Sequence, residues 1–599
     1  MAASSRPRRR KVSAASPRST PEQIREFRLK SPRLRLISVW LVLLAAMVGL
    51  GVRLSYLQLA MGSELKQMAK EQQAIQATPR TSRRQMVDLQ GNVVSLDRVV
   101  YTLYVHPMLF KKPNRIVADK LATVLENDAK AMMTSFKQQE SGIKLATEIP
   151  EETAKRLQSL RLDGIDLRPA PQRVYPQGDL FSQVTGYVDL EGIPKEGVEL
   201  ALQDQLMYSD PEAGEPTPLQ QVTRDDLQLQ LTIDSRLQRI AQEGLAQTLA
   251  DYKAKRGALI VMDSQTGEIV TMAIAPTYDP NKYYNADIEL FKNWAVSDLY
   301  EPGSTFKPIN VAIALESGSI NAGESIYDAG RIQIGEWPIQ NVDFSTKGGR
   351  GPISITDVLR YSSNVGMVRI MERLPRADYY HWLEKLGLGR MTGVDLPGEA
   401  SGQIKDRDQF VGSEVEAATT SFGQGFSLTP LQLVQLHATL ANGGMLVTPH
   451  VVRGLTNAAG ELTWTPDNPT PKRVFSPETT RQVLTMMKEV VDDGTGSAAK
   501  VDGYQVAGKT GTAQKVETFG YGNQRITSFV SIAPVSNPRY VILAVIDEPQ
   551  GENAYGGTVA APLVKKILES LVVLEGIAPD GRVPAPPVSS VEKPAVATP

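Results

Sequence analysis

"YEPGSTFKP", Tyr300 to Pro308, sets a serine and a lysine three residues apart, with a glycine before them and a proline after. Proline lacks a donor N–H and is tolerated only near a helix start, so "INVAIALESG" after Lys307-Pro308 predicts an apolar helix whose first turn holds Ser304. The backbone N–H of a residue at that position has no partner inside the helix and is free to meet an anion. Three residues make one turn, which puts the Ser304 hydroxyl and the Lys307 amine on one face. A serine is a weak nucleophile until a neighbour takes its proton, and a lysine can do so if burial or a nearby cation lowers its pKa. A capped helix with a solvated lysine would carry the same local spelling.

Spacing alone does not choose this pair. Ser-x-x-Lys also occurs at Ser63/Lys66, Ser141/Lys144, Ser497/Lys500 and Ser590/Lys593, but only Ser304 follows Pro-Gly and opens an apolar helix. Two further elements accompany it. "RYSSNVGM" holds Ser362-Ser363-Asn364, in which a hydroxyl can relay a proton and an amide can hold a lysine or a substrate amide. The same Ser-x-Asn spelling recurs at Ser319-Ile320-Asn321. "VAGKTGTAQK" holds Lys509-Thr510-Gly511-Thr512: a cation, two hydroxyls and a glycine that admits close backbone approach, a set suited to a carboxylate lying along a strand edge.

Composition narrows the class. The 599 residues carry 65 basic and 66 acidic side chains, a net charge of −1, which argues against nucleic-acid binding. There is no cysteine, and the four histidines, His106, His381, His437 and His450, show no metal-ligand spacing. Thiolate chemistry is thereby excluded, a serine–histidine triad has little support, and neither metal nor cofactor is expected.

Charge is unevenly placed along the chain. Eleven Lys/Arg occupy residues 1–35 against only Glu22 and Glu26, and "LISVWLVLLAAMVGLGV", Leu36 to Val52, is uncharged. We expect a basic cytoplasmic tail (1–35), an uncleaved single-pass signal anchor (36–58) and export of everything beyond it; a cleaved signal peptide is the rival reading. Residues 59–228 mix strand-like and helical runs without a catalytic pattern and end near a Pro- and acid-rich linker, Tyr208 to Pro218. From 229 to 575 the pattern changes: "LQLTIDSRLQRIAQEG" predicts a strand and then a helix capped by Asp234. "GALIVMDSQTGEIVTMAI" and "ITSFVSIAPVSNPRYVILAVIDEP" predict hairpins at opposite ends of this region, with helices between. The expected fold is α/β (α+β), an antiparallel sheet covered by helices, followed by a disordered Pro/Ala/Ser-rich tail, 576–599.

Ser-x-x-Lys, Ser-x-Asn and Lys-Thr-Gly in this order make the sequence resemble class B penicillin-binding proteins, and within them the cell-division transpeptidases of the FtsI type. "FKNWAVSDLYEPGSTFKP", "SFGQGFSLTPLQL" with "LANGG", "YGGTVAAP" and, earlier, "RVYPQGDLFSQVTGYVDLEG" with Gly197 and Glu199 resemble further family blocks, so the resemblance covers nearly the whole exported chain. "RRQMVDLQGNVV" departs from it: the family usually has glycine at the position of Arg84 and arginine at that of Leu89.

The resemblance implies a penicillin-binding transpeptidase domain on an elongated pedestal (dimerisation) domain, acting on peptidoglycan stem peptides and inhibited covalently by β-lactams. It implies Ser304 as nucleophile, Lys307 as its base, Ser362 as proton relay to the departing amine and Asn364 as the residue fixing Lys307. Lys509, Thr510, Gly511 and Thr512 would bind the terminal carboxylate, with the N–H groups of Ser304 and Thr512 as oxyanion hole. Gly423-Gln424-Gly425 would shape the cleft. Implied partners are the membrane, a SEDS-type division glycosyltransferase and other divisome membrane proteins, with no nucleic acid; the implied place is the septum. Alternatives are a hydrolase of the β-lactamase or carboxypeptidase kind, an elongation-type transpeptidase, where aspartate tends to replace Asn364, and a non-catalytic β-lactam sensor or divisome scaffold.

Overall fold

Tyr540–Asp547, YVILAVID, is buried at all 8 positions, which only a strand covered on both faces allows. Successive side chains point to opposite faces, so Val541, Leu543 and Val545 join one apolar cluster while Ile542, Ala544 and Ile546 join another. Arg256–Asp263 divides its side chains in the same way, with Ala258, Ile260 and Met262 on one side and Leu259 and Val261 on the other.

A computed structural model describes residues 32–61, 82–208, 225–517 and 520–580. Most of the expected basic tail, the Pro-rich linker beyond Tyr208, most of the C-terminal tail, and the pairs Ser63/Lys66 and Ser590/Lys593 lie outside these residues. The chain divides into two units between Thr78 and Pro79. In the first, Pro32–Ser55 is helical, and Leu36–Leu59 is predominantly apolar, with Arg53 as its one charged residue, a mean hydropathy of 2.2 and none of it buried. It is long and apolar enough to cross a bilayer once.

In the second unit, the five-stranded sheet runs in the order Ala507–Glu517, Gly520–Ala533, Tyr540–Asp547, Arg256–Asp263, Ile269–Ala275, with every pair antiparallel. Its two edges come from opposite ends of the region, as the hairpins predict. Helices Ser235–Tyr252 and Gly556–Leu574 cover one face through Leu237, Leu245, Val564 and Leu571. The other face meets Pro430–Ala441, a helix buried at every position, and through it Lys307–Glu316 and Pro477–Asp493. Asp234 caps its helix by accepting from Arg236 N.

A second, mixed sheet carries the preceding region. Val93–Val105 pairs antiparallel with Ile143–Pro150 and Ile165–Val174, and helices Asn114–Leu125, Ala129–Gln138 and Glu151–Ser159 bury Leu121, Phe136 and Leu157 against it. Met86–Val87 pairs in parallel with Gln228–Leu231, which pairs with Val452–Thr456, so this sheet continues across residue 228. Asp97 and Arg173, facing partners on two of its strands, join Arg83 and Glu199 in a buried ion network with contacts of 2.6–3.1 Å. Arg84 is buried too, pairing with Asp225, donating to the Met207 carbonyl at 3.0 Å and stacking on Tyr208. Its long side chain thus takes up contacts that a glycine could not make.

Candidate active site

The turn of the candidate nucleophile is held by one segment, Gly423 to Leu428. Tyr300 exchanges backbone hydrogen bonds of 3.0 and 3.1 Å with Leu428, Glu301 accepts from Gly425 N at 2.9 Å, and Gly303 N donates to Gly423 O at 2.9 Å. Gly303–Phe306 form a 3-10 turn that passes into the α-helix at Lys307, with Pro308 in its first turn. Ser304 therefore sits one turn ahead of the α-helix proper, and because a 3-10 turn closes in three residues, Ser304 and Lys307 remain on one face. Two glycines permit this packing. A Cβ on Gly423, at φ +86°, would lie 1.9 Å from Gly303 O, and one on Gly511 would lie 2.4 Å from Ser528 Oγ and 2.9 Å from Thr305 Cγ2.

The second motif enters by a tight bend. Ser362 adopts φ +58°, an uncommon and costly conformation for a residue with a Cβ. Ser363 then caps helix Asn364–Met371, accepting from Gly366 N at 2.8 Å. The bend delivers the Ser362 hydroxyl to within 3.0 Å of Ser304 Oγ and 3.2 Å of Lys307 Nζ. Lys307 Nζ also donates to Ser362 O at 2.6 Å and Asn364 Oδ1 at 2.7 Å. Among the described hydrogen bonds of Lys307, none reaches Ser304 Oγ; the connection runs through Ser362.

The third motif lies in the edge strand Ala507–Glu517. Lys509 Nζ donates to Ser362 Oγ at 3.0 Å and Thr510 O at 3.2 Å, Thr510 Oγ1 is 2.9 Å from Thr495 Oγ1, and Thr512 Oγ1 accepts from Gly556 N at 3.2 Å. One serine hydroxyl thus joins the candidate nucleophile to two buried amines.

Burial of Lys307 and Lys509 sets the electrostatics. Desolvation, with the Lys509 cation adding to it, pushes Lys307 well below the usual lysine range, and the buried Asp328 carboxylate opposes this. Desolvation brings Lys509 down to about 7. Two of the three Lys307 partners, Ser362 O and Asn364 Oδ1, can only accept. A neutral amine has two N–H groups for them and a lone pair left for the Ser362 hydroxyl. The geometry therefore suits a proton path from Ser304 through Ser362 to Lys307.

A cavity of about 730 Å³ opens on this cluster, lined by Ser304, Ser362, Asn364, Thr510 and Thr512, with Gln424, Tyr361 and Tyr555 among its walls. Tyr361 and Thr495 are not singled out by the sequence, yet both line the cavity, as does Ser497. A glycine-rich turn between an amphipathic helix and a strand was the available signal. Ser497 is accompanied by an exposed Lys500, and Ser141 bonds His106 Nδ1 at 2.7 Å in the other sheet's region, so neither pair has a buried amine. A larger cavity, about 1050 Å³, shares Gln514 with the first but is lined by no residue of the three motifs. Among the described residues no group of three His, Asp or Glu side chains is placed to share a metal ion.

The penicillin-binding protein transpeptidase domain family matches residues 257–569, and the penicillin-binding protein dimerisation domain family matches residues 79–211. Similar proteins are named peptidoglycan D,D-transpeptidase FtsI homolog, in Mesostigma viride (39% identical, 91% of this chain and 96% of that protein) and in Chlorokybus atmophyticus (36% identical, 93% and 98%). A crystal structure of penicillin binding protein 3 from Mycobacterium tuberculosis, complexed with aztreonam, superposes with a TM-score of 0.66 at 27% identity over 84% of this chain and 98% of that one. With its three motifs gathered at one cleft and both domain families matched in order, the chain belongs to the class B penicillin-binding proteins, of the FtsI type.

Proposed function

We propose that the chain is a peptidoglycan D,D-transpeptidase working in cell division through an acyl-enzyme on Ser304. The observation that carries this is the Ser362 hydroxyl, 3.0 Å from Ser304 Oγ, 3.2 Å from Lys307 Nζ and 3.0 Å from Lys509 Nζ. Ser304 Oγ attacks the carbonyl between the two terminal D-alanines of a stem peptide while its proton moves through Ser362 to Lys307. The N–H groups of Ser304 and Thr512 hold the oxyanion. The terminal D-alanine leaves as an amine, taking a proton back through Ser362, and the amine of a second stem peptide takes the acyl group, leaving a cross-link. Lys509, Thr510 and Thr512 bind the terminal carboxylate, with Gly511 letting the strand lie close, and Asn364 fixes Lys307. A β-lactam acylates the same serine.

The exported region divides in this reading into a pedestal, 59–228, and a transpeptidase domain, 229–575, held to the membrane by the helix within 36–58. Its basic flank stays in the cytoplasm and its catalytic domain faces outward, at the septum beside a SEDS-type glycosyltransferase and other divisome membrane proteins. Relatives named FtsI homolog and the asparagine at Asn364 favour division over elongation.

The test is twofold. Incubation with benzylpenicillin should add one penicillin mass to the Ser304 peptide, and the full chain in membranes should cross-link stem peptides. No adduct would remove the acyl-enzyme, and an adduct without cross-linking would favour a sensor. Fluorescence of the tagged chain at midcell supports division, whereas a lateral-wall pattern supports elongation.

A further inference from the structure

Behind the Ser-Ser-Asn motif lies a buried pair that no mechanism above uses. Asn341 is 2% exposed and Asp328 fully buried. Asn341 Oδ1 accepts three hydrogen bonds from the motif: Ser363 Oγ at 3.2 Å, Asn364 N at 2.9 Å and Val365 N at 3.1 Å. Its Nδ2 donates to both oxygens of Asp328, at 2.9 and 2.8 Å. Asp328 in turn accepts from Gly330 N at 2.7 Å.

We propose that Asp328 and Asn341 are positioning residues of the catalytic centre: Asp328 fixes which way the Asn341 amide faces, and Asn341 thereby holds the Ser362 bend over Ser304. This rests on the assignment of Ser304, Ser362 and Lys307 given above.

The physical reason is an asymmetry of donors. A carboxylate only accepts, so it compels the Asn341 NH₂ toward itself and leaves the carbonyl oxygen for the motif. Were the amide reversed, an NH₂ would face two backbone N–H groups and a hydroxyl, and the buried donors would go unpaired at ~1–3 kcal/mol each. Ser362 at φ +58° lies in a conformation that persists only where surrounding contacts over-determine it, and the residues just after it are those that Asn341 holds. Release of the bend would move the Ser362 hydroxyl from its place between Ser304 and Lys307, and a shift of about 1 Å in a reacting group can cost about 10²-fold in rate.

Asp328 also acts by charge. The charged groups that act on Lys307 are Lys509, from the edge strand, and Asp328, from the end of strand Ser325–Asp328; Arg350 stands 4.0 Å from Asp328 and pairs with Asp343. The Asp328 charge favours protonated Lys307 and so opposes burial.

The experiment follows β-lactam acylation of the full chain against pH, with each adduct mapped to its peptide. Asp328→Asn should slow acylation at pH 7 by about tenfold or more and move the acid limb of the pH profile down, because Lys307 loses the charge that favours its protonated form. Asp328→Glu keeps the charge and should leave that limb at the wild-type position while still slowing the reaction. Asn341→Ala should also slow acylation by about tenfold or more. Rates within threefold of wild type in Asn341→Ala, or an unmoved limb in a folded Asp328→Asn, would overturn the proposal. If Asp328→Asn gives no cooperative melt, Asn341→Ala decides on rate alone. An adduct mapped to another serine in the wild-type protein would instead count against Ser304.

Discussion

Ser362 Oγ lies 3.0 Å from Ser304 Oγ and is the one hydrogen-bond partner of that side chain among the described residues. If Ser304 passes its proton to Lys307, as we propose, the Ser362 hydroxyl is the intermediary. Ser362→Ala should slow acylation by the ~10²–10⁴ typical of losing a positioned proton-transfer group, while prolonged incubation still labels Ser304. Rapid-quench mass spectrometry reads both quantities. A rate within tenfold of wild type would mean that Lys307 reaches Ser304 directly once substrate is bound.

Lys307 must act as a neutral amine to accept that proton. Arginine at this position keeps a cation but does not release a proton near neutral pH, so Lys307→Arg should lose ~10²–10⁴ in acylation rate. Lys307→Met, which keeps most of the unbranched length and removes the amine, should fall at least as far. If the Arg variant melts like the wild type and acylates within a few-fold of it, some other group is the base.

Lys509 carries a stability penalty that pH can expose. Its folded pKa of about 7 lies below the ordinary lysine value of ~10.4, so between these values the unfolded chain binds more protons and stability rises with pH. The penalty is full below pH ~7, reaches on the order of a few kcal/mol at most, and vanishes above ~10.4. Lys509→Met removes it and gives up hydrogen bonds to Ser362 Oγ and Thr510 O worth ~1 kcal/mol each. We expect a higher Tm than wild type at pH 6–7, a gain that shrinks toward pH 10, and lost acylation. A Tm difference that does not change with pH would show that Lys509 titrates normally.

The parts of this site legible in the sequence are those written into one element. Pro308 and the apolar run after it mark a helix start beside Ser304 and Lys307, and the cation, hydroxyls and glycine of Lys509 to Thr512 point to a strand edge. The sheet followed similarly, because strands such as Tyr540–Asp547 are apolar on both faces and their hairpins carry turn residues. Contacts between elements left no such mark. Asp328 and Asn341 are 13 residues apart, Thr495 and Thr510 are 15 apart, and Arg84 and Asp225 are 141 apart, and no periodicity links them. Nor does the spelling Ser-Ser-Asn reveal a positive φ at Ser362, which neighbouring hydrogen bonds impose.

Backbone packing sets how closely the nucleophile turn meets its supports. A Cβ at Gly423 would lie 1.9 Å from Gly303 O, and φ +86° is strained for any side chain. Gly423→Ala should displace the turn, slowing acylation by about 10²-fold and lowering Tm, whereas Gly412→Ala, with nothing within 4 Å of its Cβ, should do neither. Equal acylation by the two variants would show that Gly303 tolerates the shift.

Substrate choice tests the edge strand. If Lys509, Thr510 and Thr512 recognise a terminal carboxylate, they offer charge-assisted hydrogen bonds that an amidated donor cannot complete, and each buried donor left unpaired costs ~1–3 kcal/mol. At ~1.4 kcal/mol per tenfold, amidation of the terminal D-alanine should slow wild-type acylation by about one to several powers of ten. Thr512→Val exchanges the hydroxyl, which accepts from Gly556 N at 3.2 Å, for a methyl group and leaves the backbone N–H in place. It should therefore narrow the gap between free-acid and amide donors more than it slows acylation by a β-lactam. Equal rates for the two donors in the wild-type protein would remove the basis for reading this strand as the carboxylate site.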